Sequence, residues 1–254
     1  PDGTVRNQKG NVVDTVTTDE NGTAVSRELY LGKYEVREIT APHGMVLNPE
    51  PHCVELVYAG QNVAVTETAT SFENERQKVE ISLVKSIEQN ERFGIGTNGE
   101  MKNISFGLFA AEEIVSASGT SIPANGLVEI ISLNEDGTAK IKTDLPFGSY
   151  YVQELATDSH YKLSDTKYPV TFGYASQDTA VVKIAVNGGN AVENKLIYGS
   201  VSGKKIDENG DSLGGALIGL FRTDDGEFTK ENALMTTASA EDGSFSFESI
   251  PYGT

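Results

Sequence analysis

One motif recurs three times along this chain. A chain that repeats itself at domain length folds as a string of similar units, each with a small core of its own. The motif is an acidic, Gly-containing turn, a short alternating strand, and an aromatic-Gly turn that leads into another strand. The first copy reads Thr18-Asp19-Glu20-Asn21-Gly22-Thr23-Ala24 and then Leu29-Tyr30-Leu31-Gly32-Lys33-Tyr34-Glu35-Val36-Arg37-Glu38. The second reads Asn134-Glu135-Asp136-Gly137-Thr138-Ala139 and then Leu145-Pro146-Phe147-Gly148-Ser149-Tyr150-Tyr151-Val152-Gln153-Glu154. The third reads Glu241-Asp242-Gly243-Ser244-Phe245 and then Ile250-Pro251-Tyr252-Gly253-Thr254.

A second pattern marks the joins. Phe72-Glu73-Asn74-Glu75 closes the first unit and Val192-Glu193-Asn194-Lys195 closes the second. An alternating strand follows each. Val79, Ile81, Leu83 and Lys85 share one face of the first such strand, and Val201, Gly203 and Lys205 share one face of the next. Each is followed by a Gly-containing apolar strand, Phe106-Gly107-Leu108-Phe109 or Ile218-Gly219-Leu220-Phe221. Short alternating strands punctuated by Asp-Gly and Asn-Gly turns predict an all-β chain of tandem antiparallel Greek-key β-sandwiches. The expected map is residues 1–77 as the C-terminal part of a repeat lacking its first strand, 78–196 as a complete repeat, and 197–254 as the N-terminal part of a third. The middle copy carries extra residues between Lys85 and Phe109. This insertion, Glu91–Asn103, is polar and Gly-rich and is expected to be a surface loop.

Composition narrows the function classes. The 254 residues carry a formal net charge of −17. Nucleic-acid binding needs cationic charge that displaces counterions, so DNA and RNA are not expected partners, and neither is an anionic membrane surface. Cys53 is the single cysteine, which leaves no disulfide within the chain and no multi-thiolate metal site. No metal or other cofactor is expected. No apolar run reaches the roughly 18 residues a membrane span needs, so no membrane insertion is expected from this segment. Pro1-Asp2-Gly3 has no signal-peptide pattern, and both ends read as cut from a longer polypeptide.

The segment Tyr34-Glu35-Val36-Arg37-Glu38-Ile39-Thr40-Ala41-Pro42-His43-Gly44 resembles the E-box, Y-x-[LV]-x-E-x-x-A-P-x-G, of the Cna-B/SpaA-type (prealbumin-like) domains of Gram-positive pilins and cell-wall adhesins. The second copy keeps Tyr150, Val152 and Glu154, but Ala156-Thr157-Asp158-Ser159-His160-Tyr161 replaces the Ala-Pro-x-Gly ending. Gly199-Ser200-Val201 through Lys205 and on to Leu213-Gly214-Gly215-Ala216 is similar to the family's first strand and turn.

The resemblance implies an isopeptide bond between a lysine on the first strand and an asparagine on the last, promoted by a buried acid on a middle strand. Carried over by position, the middle unit supplies Lys85, Asn194 and Glu154. The first unit supplies the half-site Glu38 and Asn74, and the third supplies Lys205 alone. The residue types suit the chemistry. Burial disfavours an ammonium and frees the amine, and burial keeps a carboxylic acid protonated, so that it can donate to the carboxamide oxygen and pass a proton to departing ammonia. Folding supplies the proximity, and the reaction runs once per domain, so no turnover enzyme is implied. Tension along the chain would then pass through the crosslink.

The resemblance also implies an extracellular, cell-wall-anchored surface location and a stalk or spacer role, with adjacent repeats of the same polypeptide as the partners. Two rivals stand beside it. One is an adhesin module recognising host extracellular matrix or glycan, with 91–103 as the candidate contact loop. The other is an accessory sandwich of a secreted hydrolase. A smaller idea is that the first half-site, Glu38 and Asn74, accepts a lysine-bearing strand from another chain.

Other signals read as structural. In Asp207-Glu208-Asn209-Gly210-Asp211 the Gly falls at the fourth position of a would-be calcium loop and Ile218 stands where the twelfth-position Glu belongs, so a β-turn is expected. His43, His52 and His160 lack metal spacing and are expected to be exposed. Cys53 is expected to be a small packing residue. In Thr166-Lys167-Tyr168-Pro169-Val170 a valine stands where the pilin polymerisation lysine would follow Tyr-Pro, so this segment is expected to be strand.

Overall fold

The computed structural model describes residues 4–116 and 119–253. The termini Pro1–Gly3 and Thr254, read above as cut ends, lie outside the described residues. The chain forms two compact units. One holds residues 1–77 with 176–180, and the other holds 78–175 with 181–254.

In the first unit, β1 (Gly32–Val36) pairs antiparallel with β2 (His52–Leu56). The E-box tyrosine Tyr34 turns its hydroxyl back to the Tyr30 carbonyl at 2.6 Å. Gln77 is buried and donates to the carbonyls of Ser176 at 3.0 Å and Thr179 at 2.7 Å, which ties segment 176–180 into this unit.

The second unit begins with a sandwich whose strands are β3 (Lys78–Ile87), β4 (Ser105–Ala110), β5 (Ile114–Val115), β6 (Ser121–Ile122), β7 (Leu127–Ser132), β8 (Thr138–Ile141), β9 (Gly148–Ala156), β10 (Tyr168–Phe172), β11 (Val181–Ala185) and β12 (Val192–Asn194). One sheet has the order β10-β9-β4-β7 and is antiparallel throughout. The other centres on β3, which pairs antiparallel with β8 but parallel with both β11 and β12. The all-β sandwich expected from the strand pattern is present. The two parallel pairings are an addition that alternation cannot disclose, because side-chain period is the same in either direction.

The inward faces are the alternating apolar residues. Val79, Ile81 and Leu83 of β3 meet Phe106, Leu108 and Ala110 of β4, Tyr150 and Val152 of β9, and Val170 and Phe172 of β10, all buried in one cluster. Tyr150 repeats the corner seen in the first unit. Its hydroxyl donates to the Pro146 carbonyl at 2.7 Å, again four residues back, and burial pushes its pKa up to about 12. The Leu-x-[Leu/Phe]-Gly-x-Tyr pattern is therefore a corner that fixes where the acid-bearing strand starts.

The remaining strands are β13 (Tyr198–Lys204), β14 (Leu217–Leu220), β15 (Met235–Ala238) and β16 (Ser244–Pro251), with β13 on β16 and β14 on β15, both antiparallel. The insertion 91–103 corrects an expectation: it is not a free surface loop. Phe93 and Ile95 are buried with Tyr161 and Leu196, and Leu234, Met235 and Ile250 pack against them. Arg222 donates to the Phe93 carbonyl at 2.8 Å. Glu100, on a short 3-10 turn, is buried and accepts from the backbone N–H groups of Gly96 at 2.8 Å and Asn98 at 2.7 Å. Phe93 and Ile95, with Met101 packed partly buried against the main core, draw the loop inward.

Cys53 also corrects an expectation. It is exposed, on the outward side of β2 opposite Glu35. His43 is exposed as expected, but His52 is half-buried, stacked on Phe72 at 4.3 Å, and His160 is half-buried against Asp158. The 207–211 segment is a turn in which Asp207 accepts from the N–H groups of Asn209 and Asp211, both at 2.8 Å. Tyr168-Pro169-Val170 lies in β10.

Candidate functional site

Strand phase decides what enters the core. On β3 the residues at 79, 81, 83 and 85 are buried, so Lys85 occupies the position an aliphatic residue would otherwise take. It is 3% exposed. On β12, Val192 and Asn194 point inward and Glu193 outward. The parallel register sets Lys85 opposite Val192 and Asn194 opposite Ile87, so the lysine and asparagine are diagonal neighbours on the buried face. Glu154 comes from the facing sheet, where it pairs with Phe106, and it is 3% exposed. The structure thus gathers Lys85, Glu154 and Asn194 at one buried point.

The contacts there are specific. Lys85 Nζ donates to the carbonyls of Ser86 at 2.5 Å and Val192 at 3.1 Å. Asn194 Nδ2 donates to both Glu154 oxygens, at 2.8 and 3.0 Å, and to Thr157 Oγ1 at 2.8 Å. Glu154 Oε2 also accepts from the Ser164 N–H at 2.9 Å. Asn194 Oδ1 is buried with no hydrogen-bond partner. The expected arrangement had an acid donating to that oxygen; here the amide nitrogen faces the carboxyl group instead. An unmet buried acceptor costs about 1–3 kcal/mol.

Electrostatics follow from burial. Desolvation brings the Lys85 pKa down to about 8, while the negative charges of Glu154 and, further out, Glu193 pull it partly back up. A substantial share of Lys85 is therefore the neutral, nucleophilic amine near physiological pH, where an exposed lysine offers almost none.

The other copies repeat parts of this site. In the first unit, Asn74 Nδ2 donates to Glu38 Oε2 at 2.7 Å and to the Val46 carbonyl at 2.9 Å. Glu38 Oε2 also accepts the Asn48 N–H at 2.7 Å, ten residues on, as Glu154 accepts that of Ser164. Both Glu38 and Asn74 are only half-buried. Lys205 is exposed and donates to the Ile206 carbonyl at 2.9 Å, as Lys85 does to Ser86.

Two contributors escaped sequence reading. Gly137 lies under Lys85: the Lys85 N–H donates to the Gly137 carbonyl at 2.8 Å, and a Cβ on Gly137 would come within 2.4 Å of the Lys85 oxygen. Its φ of +79° also belongs to glycine. Gly243 stands in the same relation to Lys205, with a hydrogen bond of 2.7 Å and a Cβ clearance of 2.3 Å. The acidic Gly turn of the repeat is thus the seat of the lysine strand. The second contributor is Thr157, and its only sequence signal was the departure from the E-box ending.

Comparison with known proteins agrees with the fold. The SpaA prealbumin-like fold domain matches residues 4–71 and 92–189, more than half of the chain. The trypsin-resistant surface T6 protein of Streptococcus pyogenes serotype M6 is 26% identical over 140 residues, covering 53% of this chain and 24% of that protein. The Bacillus anthracis TIE protein superposes with a TM-score of 0.60 at 22% identity, over 94% of this chain and 38% of that one. A streptococcal ancillary pilin aligns over 94% of this chain and 69% of its own with a TM-score of 0.32 and 20% identity. The chain spans about a quarter of the T6 protein and under two-fifths of the TIE protein. By its family match and its sandwich, this chain belongs to the SpaA prealbumin-like fold domain family.

Proposed function

We propose that this chain is a stalk segment of a Gram-positive surface pilin or adhesin, hardened by a self-formed Lys85–Asn194 isopeptide bond. The observation that carries the reading is the buried meeting of a lysine of lowered pKa, a carboxyl group and a carboxamide on three strands of one core. In the reaction, neutral Lys85 Nζ attacks Asn194 Cγ. The Nζ–Cγ bond forms, the Cγ–Nδ2 bond breaks, and Glu154 relays a proton from Nζ to Nδ2, which leaves as ammonia. No turnover follows, so the protein is a structural element and not an enzyme.

The reading includes three repeats, 1–77, 78–196 and 197–254. It is supported by the lysine-over-glycine seat at Lys85/Gly137 and Lys205/Gly243, and by the Glu–Asn pair at Glu38/Asn74 and Glu154/Asn194. An extracellular, wall-anchored location belongs to the same reading, in line with the surface T6 protein it resembles. Adjacent repeats are the immediate partners. The rival matrix- or glycan-binding role for 91–103 is less well supported, since Phe93 and Ile95 are committed to packing. Intact mass spectrometry of the folded chain tests the bond. The expected mass is short by one ammonia, and Glu154→Ala restores it; an unmodified wild-type mass refutes the proposal.

A further inference from the structure

The side chain at Thr157 bears on how the amide exchange works, and it lies outside the lysine–acid–asparagine set. Its position depends on a backbone irregularity. In a regular strand a residue three places after Glu154 faces the opposite side of the sheet. Here the β4–β9 register slips between Ser105 and Phe106: Phe106 faces Glu154, and Ser105 faces Ala156. Leu155 is the extra residue of a β-bulge, and both it and Ala156 are exposed. The slip restores the inward phase at Thr157, whose Oγ1 accepts from Asn194 Nδ2 at 2.8 Å. The first unit has Ala41 at this spacing from its acid, and there the Val46 carbonyl takes the second hydrogen bond of Asn74 Nδ2 instead, at 2.9 Å. Each carboxamide nitrogen thus has a second acceptor besides its glutamate, supplied by backbone in one unit and by Thr157 in the other.

We propose that Thr157 is a positioning residue for isopeptide formation, holding Asn194 Nδ2 as the leaving nitrogen. The inference rests on the isopeptide reading above. As Nζ bonds to Cγ and the relayed proton reaches Nδ2, that nitrogen becomes a cationic donor before it departs as ammonia. Its hydrogen bond to Thr157 Oγ1 then changes from neutral to charge-assisted, roughly doubling in strength. An interaction that strengthens on the way to the transition state raises the rate, where one of constant strength does not.

The test follows bond formation in the full chain. Wild type, Thr157→Val and Thr157→Ser are made in short cell-free pulses, and the loss of ammonia is timed by intact mass across pH 6–10. Thr157→Val is expected to be slowed about 5- to 10-fold at every pH, with the midpoint of the pH profile unmoved, because Thr157 Oγ1 bonds the carboxamide while Lys85 Nζ bonds the Ser86 and Val192 carbonyls. Thr157→Ser, which keeps the acceptor, is expected within about 2-fold of wild type. The midpoint separates positioning from loosened packing: a pocket opened to water would raise the Lys85 pKa and move the profile upward. Melting of Glu154→Ala with and without Thr157→Val measures any folding cost without the bond. Thr157→Val at the wild-type rate, Thr157→Ser as slow as Thr157→Val, or a shifted midpoint each overturns the inference while leaving the bond intact. A wild-type chain that never loses ammonia removes the isopeptide reading, and this inference with it.

Discussion

Replacing Glu154 by Gln changes one atom in the core and should expose what the crosslink contributes to stability. The glutamine keeps the shape of the side chain, which in the native protein accepts from Asn194 and from the Ser164 N–H, but it cannot relay a proton. The chain should then fold without losing ammonia. The bond it lacks would close a loop on the order of 100 residues, and chain entropy assigns such a link roughly 4–5 kcal/mol. For a cooperative unit of this size, 1 kcal/mol moves the melting temperature by about 2–4 °C, so Glu154→Gln should melt roughly 10–20 °C below wild type. The comparison belongs at pH 9. With the Lys85 pKa near 8, the amine is then largely neutral in the variant. Circular dichroism gives the melting curve and intact mass gives the chemical state of the same sample. A Glu154→Gln chain that still loses ammonia would refute the role assigned to the acid. Equal melting temperatures for two chemically different chains would refute the stability argument.

Bond formation should accelerate with pH up to and through about 8 and then level off, because only neutral Lys85 attacks; timed mass spectra read this directly. The uncrosslinked Asn194→Ala chain should gain stability as pH rises from about 8 towards the ordinary lysine value of 10.5. Over that window the unfolded chain binds the proton that the folded chain has released; denaturant titrations at three pH values decide the sign. Gly137→Ala should cost about 1–3 kcal/mol, since its Cβ meets the Lys85 carbonyl at 2.4 Å in a left-handed conformation, and it should slow ammonia loss by tilting the lysine strand. Phe93→Ala should remove about 3–5 kcal/mol from the cluster with Tyr161 and Leu196 and open the Leu196–Tyr198 stretch to limited proteolysis; an unchanged cleavage pattern would count against that packing.

The strand faces were legible because burial imposes a period. Lys85 follows Val79, Ile81 and Leu83 at steps of two, which put the lysine on the apolar face of its strand. The turn glycines were legible as turns, but not as the seat of the lysine strand, since those contacts join residues 52 (Gly137 and Lys85) and 38 (Gly243 and Lys205) positions apart. Thr157 was out of reach for a related reason. A bulge leaves no mark in the hydrophobic pattern, and strict alternation points this residue the wrong way. The insertion misled because its glycines and polar residues outnumber Phe93, Ile95 and Met101, although Phe93 and Ile95 bury readily once Tyr161 and Leu196 offer a surface. Cys53 misled in the opposite sense: its strand alternates, but it falls on the outer phase.

The parallel pairing of β3 with β11 and β12 has a topological consequence. Lys78 lies beside Val181 at one end of β3, and Ile87 lies beside Asn194 at the other. The polypeptide therefore enters this sandwich at one end and departs from the opposite end, about 30 Å away at 3.3 Å per residue. A module threaded in this way is polar, like a bead with separate entry and exit holes. In a string of such modules, inserting or deleting one would change the contour by one whole module. A sandwich whose first and last strands were antiparallel partners would return the chain to its starting end, and each added copy would double the string back on itself.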